Sequence, residues 1–367
     1  MRSLKAQGFE IANDRVVLPA DADKATLRGL HAAAARHRID RFAPGLRPHE
    51  ERLLARIASG REVHPEHVLP RLVEVQPDSE EELLFRYASL HWSIPVSSGY
   101  GRRLRFLVID EQNERLIGLF GLGDPVFSLA ARDEWVGWDP VARKRRLSHV
   151  MDAFVLGAVP PYSFLLCGKL VAMLTTATEV RNAFRNKYAG QRSLVAHREF
   201  DGRLAMITTT SAFGRSSLYN RVTYAGRCLF YAVGFTRGSG EFHFSNGLYA
   251  AISDYANRHC EPTAKHERWG TGFRSRREIV KKCLIKIGIS SEWLYHGVQR
   301  EVFVVPLARN ARQFLRGEHS KLCWFDQNSQ ELFSYFRERW LIPRSRRDGR
   351  YRLWDPRQWE LWGGGTC

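Results

Sequence analysis

The sequence lacks long apolar runs, and this absence limits where the protein can act. No stretch of 18 consecutive apolar residues occurs, so we expect no transmembrane helix. Residues 1–5 are not followed by the apolar segment of a secretory signal peptide, which predicts a cytoplasmic protein. Cysteine is scarce as well: six are scattered through 367 residues without a C-x-x-C pair. This pattern argues against a zinc ribbon and against a disulfide framework.

The common catalytic and metal-binding signatures are also missing. The chain contains no G-x-S-x-G, no H-E-x-x-H and no Walker loop of the form G-x-x-x-x-G-K-[ST]. Glu241 and His243 alternate, and His259, Cys260 and His266 lie close in sequence, but neither set has an established ligand spacing. We therefore expect no metal site, and the sequence leaves the cofactor unknown.

Positive charge is in clear excess. The formal net charge is +17, yet residues 1–95 carry 14 basic and 14 acidic side chains. The surplus therefore lies beyond residue 95, with 15 basic against 10 acidic side chains in residues 101–200 and 27 against 15 in residues 201–367. A field of this sign attracts polyanions, and nucleic acid is the most common of these in the cytoplasm.

Three clusters hold much of this charge, and tryptophans lie near them in sequence. Guanidinium groups and aromatic faces together suit nucleic acid, because one binds phosphate and the other stacks on bases. A charge run is otherwise only a solvated face. We predict DNA contacts from ten clustered residues: Arg143, Lys144, Arg145, Arg146, Arg274, Arg276, Arg277, Arg344, Arg346 and Arg347.

A polar run at residues 208–221 gathers hydroxyl and amide side chains around Gly214. One interpretation is a phosphate site built from backbone amides, the Arg215 and Arg221 guanidinium groups, and the hydroxyls of Ser216 and Ser217. The alternative is an ordinary capped connection between a strand and a helix. Both interpretations remain open at this stage.

The centre of the chain has the pattern of an antiparallel hairpin followed by a strand and a helix. Residues 104–110 and 116–122 are β-branched and aromatic runs across a polar turn, and residues 150–159 form a third apolar run. Apolar residues then recur at helical spacing from Gly168. Asp152 is the one acidic residue of the third run, so it either pairs with an arginine or acts as a catalytic carboxylate.

These patterns predict an α+β fold with a mixed sheet and basic C-terminal helices. The expected regions are a helical 1–95, a core at 96–310 and a basic, aromatic-rich extension at 311–367. Residues 191–200 and 204–209 are predicted to pair across the Asp201-Gly202 turn. Residues 344–350 are expected to be too charged to pack.

The chain resembles the DruA family of Druantia anti-phage systems. The resemblance lies in the strand ending Leu119-Phe120-Gly121, in the block Ala-Arg-Asp-Glu-Trp-Val-Gly-Trp at 131–138, and in the strand that runs into a proline-marked turn and a helix. It covers about residues 50–310. Similar family members have asparagines in the strand where this chain has Asp152. The resemblance implies a role in phage defence but no reaction.

The order of the core elements is also similar to the acyltransferase fold of N-acetyltransferases and of the phage protein Mom. That likeness implies a cofactor cleft at residues 159–169, which lack the usual [RQ]-x-x-G-x-[GA] signature. Three functional hypotheses follow. The first is a nucleic-acid-binding component of antiviral defence; the second is an enzyme that transfers a group to a nucleobase or nucleotide, using Asp152 or the 208–221 run. The third is a structural partner of a defence helicase.

Overall fold

The computed structural model describes residues 1–94, 101–192, 199–244, 247–262, 269 and 273–363, without the side chains of residues 273 and 274. Strands β1 to β11 are Glu10–Ala12, Arg15–Val17, Pro70–Glu74, Arg103–Asp110, Arg115–Gly123, Val150–Ala158, Met206–Thr210, Thr223–Tyr224, Arg227–Cys228, Tyr231–Phe235 and Glu301–Pro306. Helices α1 to α13 are Arg2–Ala6, Lys24–Leu46, Glu50–Leu54, Glu80–Ser89, Ala130–Val136, Pro140–Arg146, Cys167–Leu174, Thr178–Tyr188, Leu248–His259, Phe273–Lys286, Ala311–Arg316, Ser329–Phe336 and Ile342–Arg347.

A seven-stranded mixed sheet organises the chain, in the order β10-β11-β7-β6-β5-β4-β3. Strands β6 and β7 run parallel, and the other neighbours are antiparallel. The predicted α+β class and the hairpin are confirmed, with Phe106 opposite Phe120 in β4 and β5. The third apolar run forms β6. Because these central strands are buried on both faces, they have continuous apolar sequences instead of an alternating pattern.

Helices cover both faces of the sheet. On one face α7, α8 and α12 pack over stacked Phe106 and Phe120, whose ring centroids are 4.9 Å apart. On the other face, α3, α4 and Trp359, which lies near the C-terminus, pack over β4 and β5. Beside them, the cluster that contains Val136 of α5 and Phe314 of α11 covers β7 and β11. Asp152 lies on β6, whose Val155 belongs to the second of these clusters and whose Val150 belongs to the third.

The pairing predicted for residues 204–209 is wrong. These residues contribute to β7, but β7 lies between β6 and β11, with Asp152 opposite Thr208 and Val305 opposite Ile207. Residues 191–200 fall partly outside the described residues, and what is described there is an isolated bridge between Arg192 and Glu199. The crossover through α7 and α8 returns the chain parallel to β6, so β7 is buried within the sheet.

The charged C-terminal tail packs, contrary to expectation. Helix α12 continues through a π-helical turn at Arg337–Leu341 into α13, where Ser345 is buried. Beyond α13, Tyr351 is also buried. Asp348 accepts hydrogen bonds from the Arg350 side chain and lies near Arg344, and these cations hold the pKa of its carboxyl well below the ordinary value. Local pairing thus allows a basic segment to fold back on the protein.

Contacts cross the expected boundary at residue 95, because β3 precedes it and pairs with β4 beyond it. Likewise Leu4 and Leu30, near the N-terminus, share a buried cluster with Ile252 of α9 and Val280 of α10. Within the described ranges, no helix is long and apolar enough to cross a membrane.

Candidate functional site

Asp152 lies at the junction of the parallel strands. Its Oδ1 accepts a hydrogen bond of 2.7 Å from the Thr208 hydroxyl, directly opposite on β7. Burial raises the pKa of the Asp152 carboxyl, and the Thr208 hydroxyl and the Arg132 charge offset this only in part. In the part of the chain that the structure describes, this hydroxyl takes the place of the expected salt bridge to an arginine. A carboxyl that retains its proton more readily than usual can serve in proton transfer.

Arg132 of α5 is fully buried close to this strand junction. Its Nε and Nη2 atoms donate to Asp133 Oδ1 at 2.9 and 2.7 Å. Nη1 donates to the Val126 carbonyl at 2.8 Å, and Nη2 to the Phe127 carbonyl at 3.1 Å. The guanidinium group is therefore neutralised by a carboxylate and joined to the loop before α5.

The Asp133 carboxylate is the centre of this network. Besides Arg132, it accepts hydrogen bonds from Arg143 Nη1 at 3.0 Å, Trp138 Nε1 at 3.1 Å and the Leu129 amide at 3.0 Å. The block at 131–138 is thus a structural unit that locks α5 to α6. Arg143, which was predicted to contact nucleic acid, has its charge paired within this unit.

The other basic residues of α6 divide into two groups. Arg146 lies over the Phe314 ring, 4.7 Å from its centroid, and faces α11. Lys144 and Arg145 are exposed, and neither has a carboxylate within ion-pair distance among the described residues. These two side chains are free to bind an anion in solution.

The polar run at 208–221 is held by a buried carboxylate. The Ser216 amide donates to Glu301 Oε2 at 2.8 Å, so a protein carboxylate takes the hydrogen bond expected for a phosphate. The Ser216 hydroxyl accepts from the Leu218 and Tyr219 amides at 3.3 and 3.1 Å, which is ordinary capping of a short turn. Negative charge next to these amides weakens the case for an anion site built from backbone.

Three of the candidate side chains in that run are accessible to solvent. Arg215, Ser217 and Arg221 are exposed. The Arg221 carbonyl accepts a hydrogen bond of 3.2 Å from Lys169 Nζ, and Lys169 also lies 5.2 Å from the Trp340 ring centroid. Because burial lowers the pKa of Lys169, its ammonium group depends on these contacts for compensation. The loop that carries Arg215 and Arg221 is therefore bound to the protein through Lys169 and Glu301, while the two arginine side chains are exposed.

Arginines at the start of α10 bind neighbouring elements. Arg276 Nε forms an ion pair of 2.8 Å with Glu241, and Arg277 Nη1 donates to the Ser239 hydroxyl at 3.3 Å. Burial raises the pKa of the Glu241 carboxyl despite the two nearby arginines. The side chain of Arg274 lies outside the described residues. The described members of this predicted cluster thus hold α10 against the segment after β10.

In α13, Arg344 donates from Nε to the Phe164 carbonyl at 3.0 Å and pairs with Asp348 at 2.5 Å. Arg347 Nε donates to the Pro343 carbonyl at 3.1 Å, within its own helix. Arg346 and Arg347 are both exposed, with no ion pair in the described part of the chain. Of this cluster, these two residues are the ones placed for an external anion.

The segment at residues 159–169, where a cofactor cleft was predicted, is mostly buried. Every residue of α7 is buried, and the preceding Leu166 has a left-handed backbone with φ of 63°. The Tyr162 hydroxyl donates to Asp110 at 2.7 Å, and this bond fixes the segment between β6 and α7 to the end of β4. Sequence reasoning missed Arg132, Thr208 and Glu301, because their roles depend on partners that are brought together only by the fold.

Comparison with known proteins identifies the family. The family model described as Druantia protein DruA matches residues 21–317. A curated relative, Druantia protein DruA of Escherichia coli (strain UMEA 4076-1), is 39% identical over 357 residues, covering 96% of this chain and 88% of that protein. This chain belongs to the DruA family. No solved structure matches it, so the likeness of its core to acyltransferases stays a prediction.

The span of the DruA match separates the candidate residues. It includes Asp152, Thr208, the Arg132–Asp133 network and Glu301, whereas α13 with Arg344, Arg346 and Arg347 lies beyond it. The 131–138 block, on which the resemblance was based, is therefore within the DruA region and has a defined structural role in it.

Proposed function

We propose that this DruA-family protein is a nucleic-acid-binding component of Druantia anti-phage defence and acts on DNA in the cytoplasm. Family membership supports the defence role. The DNA-binding role rests on one observation, namely exposed cations without a carboxylate partner within the described ranges. Among the basic residues predicted to contact nucleic acid, six have this property: Lys144, Arg145, Arg215, Arg221, Arg346 and Arg347.

These cations matter because the rest of the predicted set is internally engaged. Arg143, Arg276 and Arg344 form ion pairs with carboxylates, so their guanidinium groups are less available to an external phosphate. The unpaired cations belong to a chain with a net charge of +17, and they keep their counterions until a polyanion displaces them. Such contacts fall on phosphates, which carry no sequence information. We expect binding with little sequence preference.

A salt titration of DNA binding tests this proposal. Affinity should fall steeply with salt, and Lys144→Ala or Arg145→Ala should each reduce the slope of log affinity against log salt by about 1. Arg258→Ala is the matched control, since Arg258 is exposed but paired with Asp254. Binding that is absent at low ionic strength, or that does not respond to salt, would contradict the proposal.

Other proteins of the Druantia system, including a defence helicase, are the proposed protein partners. The DNA-binding variants should lose phage protection in a plaque assay on cells that carry the whole defence locus. Protection that survives in variants with no measurable DNA binding would favour a purely structural role beside those partners.

A group-transfer enzyme acting on a nucleobase or nucleotide is the second candidate, with an unknown cofactor. The raised pKa of Asp152 beside the Thr208 hydroxyl favours it. Asp152→Asn keeps the shape of the side chain and removes its proton transfer. If this variant binds DNA normally but no longer protects cells, the result would favour an enzyme over a protein that acts by binding DNA alone.

A further inference from the structure

Two large apolar side chains project from the loop between β5 and α5. Val126 and Phe127 are 54% and 55% exposed, and Val141 on the neighbouring helix α6 is 59% exposed. Exposed apolar side chains are common singly, but a group of them marks a contact surface. We call Val126, Phe127 and Val141 the apolar tip.

Two buried arginines hold the loop that carries Val126 and Phe127, one at its start and one at its apex. At its start, Arg102 binds Asp124 through its amide at 2.9 Å and its Nε at 2.7 Å. At its apex, Arg132 binds the carbonyls of Val126 and Phe127. Because Arg102 and Arg132 are both buried, the two side chains of the loop are presented from a fixed backbone.

Cations flank the apolar tip. The Arg143 guanidinium lies 4.7 Å from the centroid of the Phe127 ring and ties the ring to α6. On α6, Val141 is three and four positions before Lys144 and Arg145, so these three exposed side chains are neighbours on the helix surface. The Arg143 side chain thus joins the Phe127 ring to a short helix that carries an exposed aliphatic side chain and two unpaired cations.

We propose that Phe127 stacks on an unpaired base of single-stranded DNA while Lys144 and Arg145 bind the adjacent phosphates. Val126 and Val141 would pack against the sugar and the base edge. This inference rests on the proposed DNA-binding function and adds a base-contacting residue to it. DNA is favoured over a protein ligand because it offers aromatic faces and negative charge at a short, regular spacing.

The test uses a 20-nucleotide single-stranded DNA that contains 2-aminopurine, whose fluorescence reports stacking. Phe127→Ala should weaken binding about tenfold. The loss should persist at high salt, because stacking releases no counterions, and the fluorescence change should disappear. Lys144→Ala and Arg145→Ala should lose affinity mainly at low salt.

Phe235→Ala is the matched control, since Phe235 is 41% exposed and lies on the edge strand β10, away from the β5–α5 loop in sequence. Its affinity should equal that of the wild type. Both phenylalanines are exposed, so the Phe235 change should leave the melting temperature unchanged, and the Phe127 change should lower it only slightly, through loss of the contact with Arg143. Phe127→Trp should retain binding, which separates loss of an aromatic face from damage to the loop.

Three outcomes would overturn the inference. If Phe127→Ala binds like the wild type while Lys144→Ala still changes the salt slope, the stacking contact is absent and the proposed function survives. If the wild type binds no DNA at low salt, both fail. If Phe127→Ala binds DNA normally but no longer protects cells from phage, the apolar tip contacts a protein of the system instead.

Discussion

Replacing Arg132 with methionine tests how much the buried network contributes to stability. The change keeps an unbranched side chain up to about the position of Nε and removes the guanidinium group with its charge and donors. Arg132 makes hydrogen bonds to Asp133, Val126 and Phe127 from a fully buried position. Removing one partner of a buried ion pair costs about 3–5 kcal/mol, because the other charge is left without compensation.

The expected loss lies near the lower end of that range. Asp133 would still accept hydrogen bonds from Arg143 and Trp138, and the carbonyls of Val126 and Phe127 can bind water, since their loop is at the surface. We therefore expect Arg132→Met to lower the free energy of unfolding by about 3 kcal/mol.

Urea unfolding followed by far-UV circular dichroism measures this difference. Arg145→Met is the matched control: it makes the same chemical change at an exposed site without an ion pair in the described chain, so a change within about 0.5 kcal/mol is expected. A loss below about 1 kcal/mol for Arg132→Met would refute the reasoning, because it would mean that water or a rearranged Arg143 replaces the guanidinium at little cost.

Two further predictions concern the sheet. Burial raises the pKa of Asp152 above its unfolded value, so the stability of the folded protein falls as pH rises through the folded pKa. Asp152→Asn removes this ionisation and should therefore melt at a higher temperature than the wild type at pH 7. The difference should vanish near pH 3, where the carboxyl is protonated in both states. A lower melting temperature at pH 7 would contradict this. Gly118→Ala would place a Cβ 2.5 Å from the Gly157 carbonyl oxygen of β6 and should destabilise the protein by about 1–3 kcal/mol in thermal melts. Gly29→Ala is the control, because a Cβ at this position of α2 meets open space, and it should be neutral or stabilising.

Local pattern was enough to predict the central strands but not their partners. The runs at 104–110 and 116–122 form a hairpin whose strands follow each other in sequence, so composition and turn chemistry determine both. Strand β7 was recognised near its true position and given the wrong neighbour. Its antiparallel partner β11 lies about 90 residues later, and its parallel partner β6 is separated from it by a two-helix crossover. Neither pairing can be predicted from the residues close to β7 in sequence.

The candidate site shows the same limit. A run of arginines identifies a basic segment, but it does not tell which guanidinium groups are paired, and Arg143 and Arg145 differ in this respect. Capping by Ser216 could be predicted from its hydroxyl and position. The Glu301 carboxylate that binds its amide is 85 positions away, so the sequence pattern favoured an anion where the protein supplies its own.

The position of β11 in the sheet also affects how the protein can be made. As the chain leaves the ribosome, β3 to β7 become available in sheet order, but the outer edge of β7 pairs with β11, which ends at Pro306. Until that residue has emerged, Met206–Thr210 is an open strand edge, of the kind that recruits other chains. Nascent chains that stall or terminate between residues 210 and 301 should therefore be the aggregation-prone products of this gene, and co-expressed chaperones should improve yield by protecting this edge.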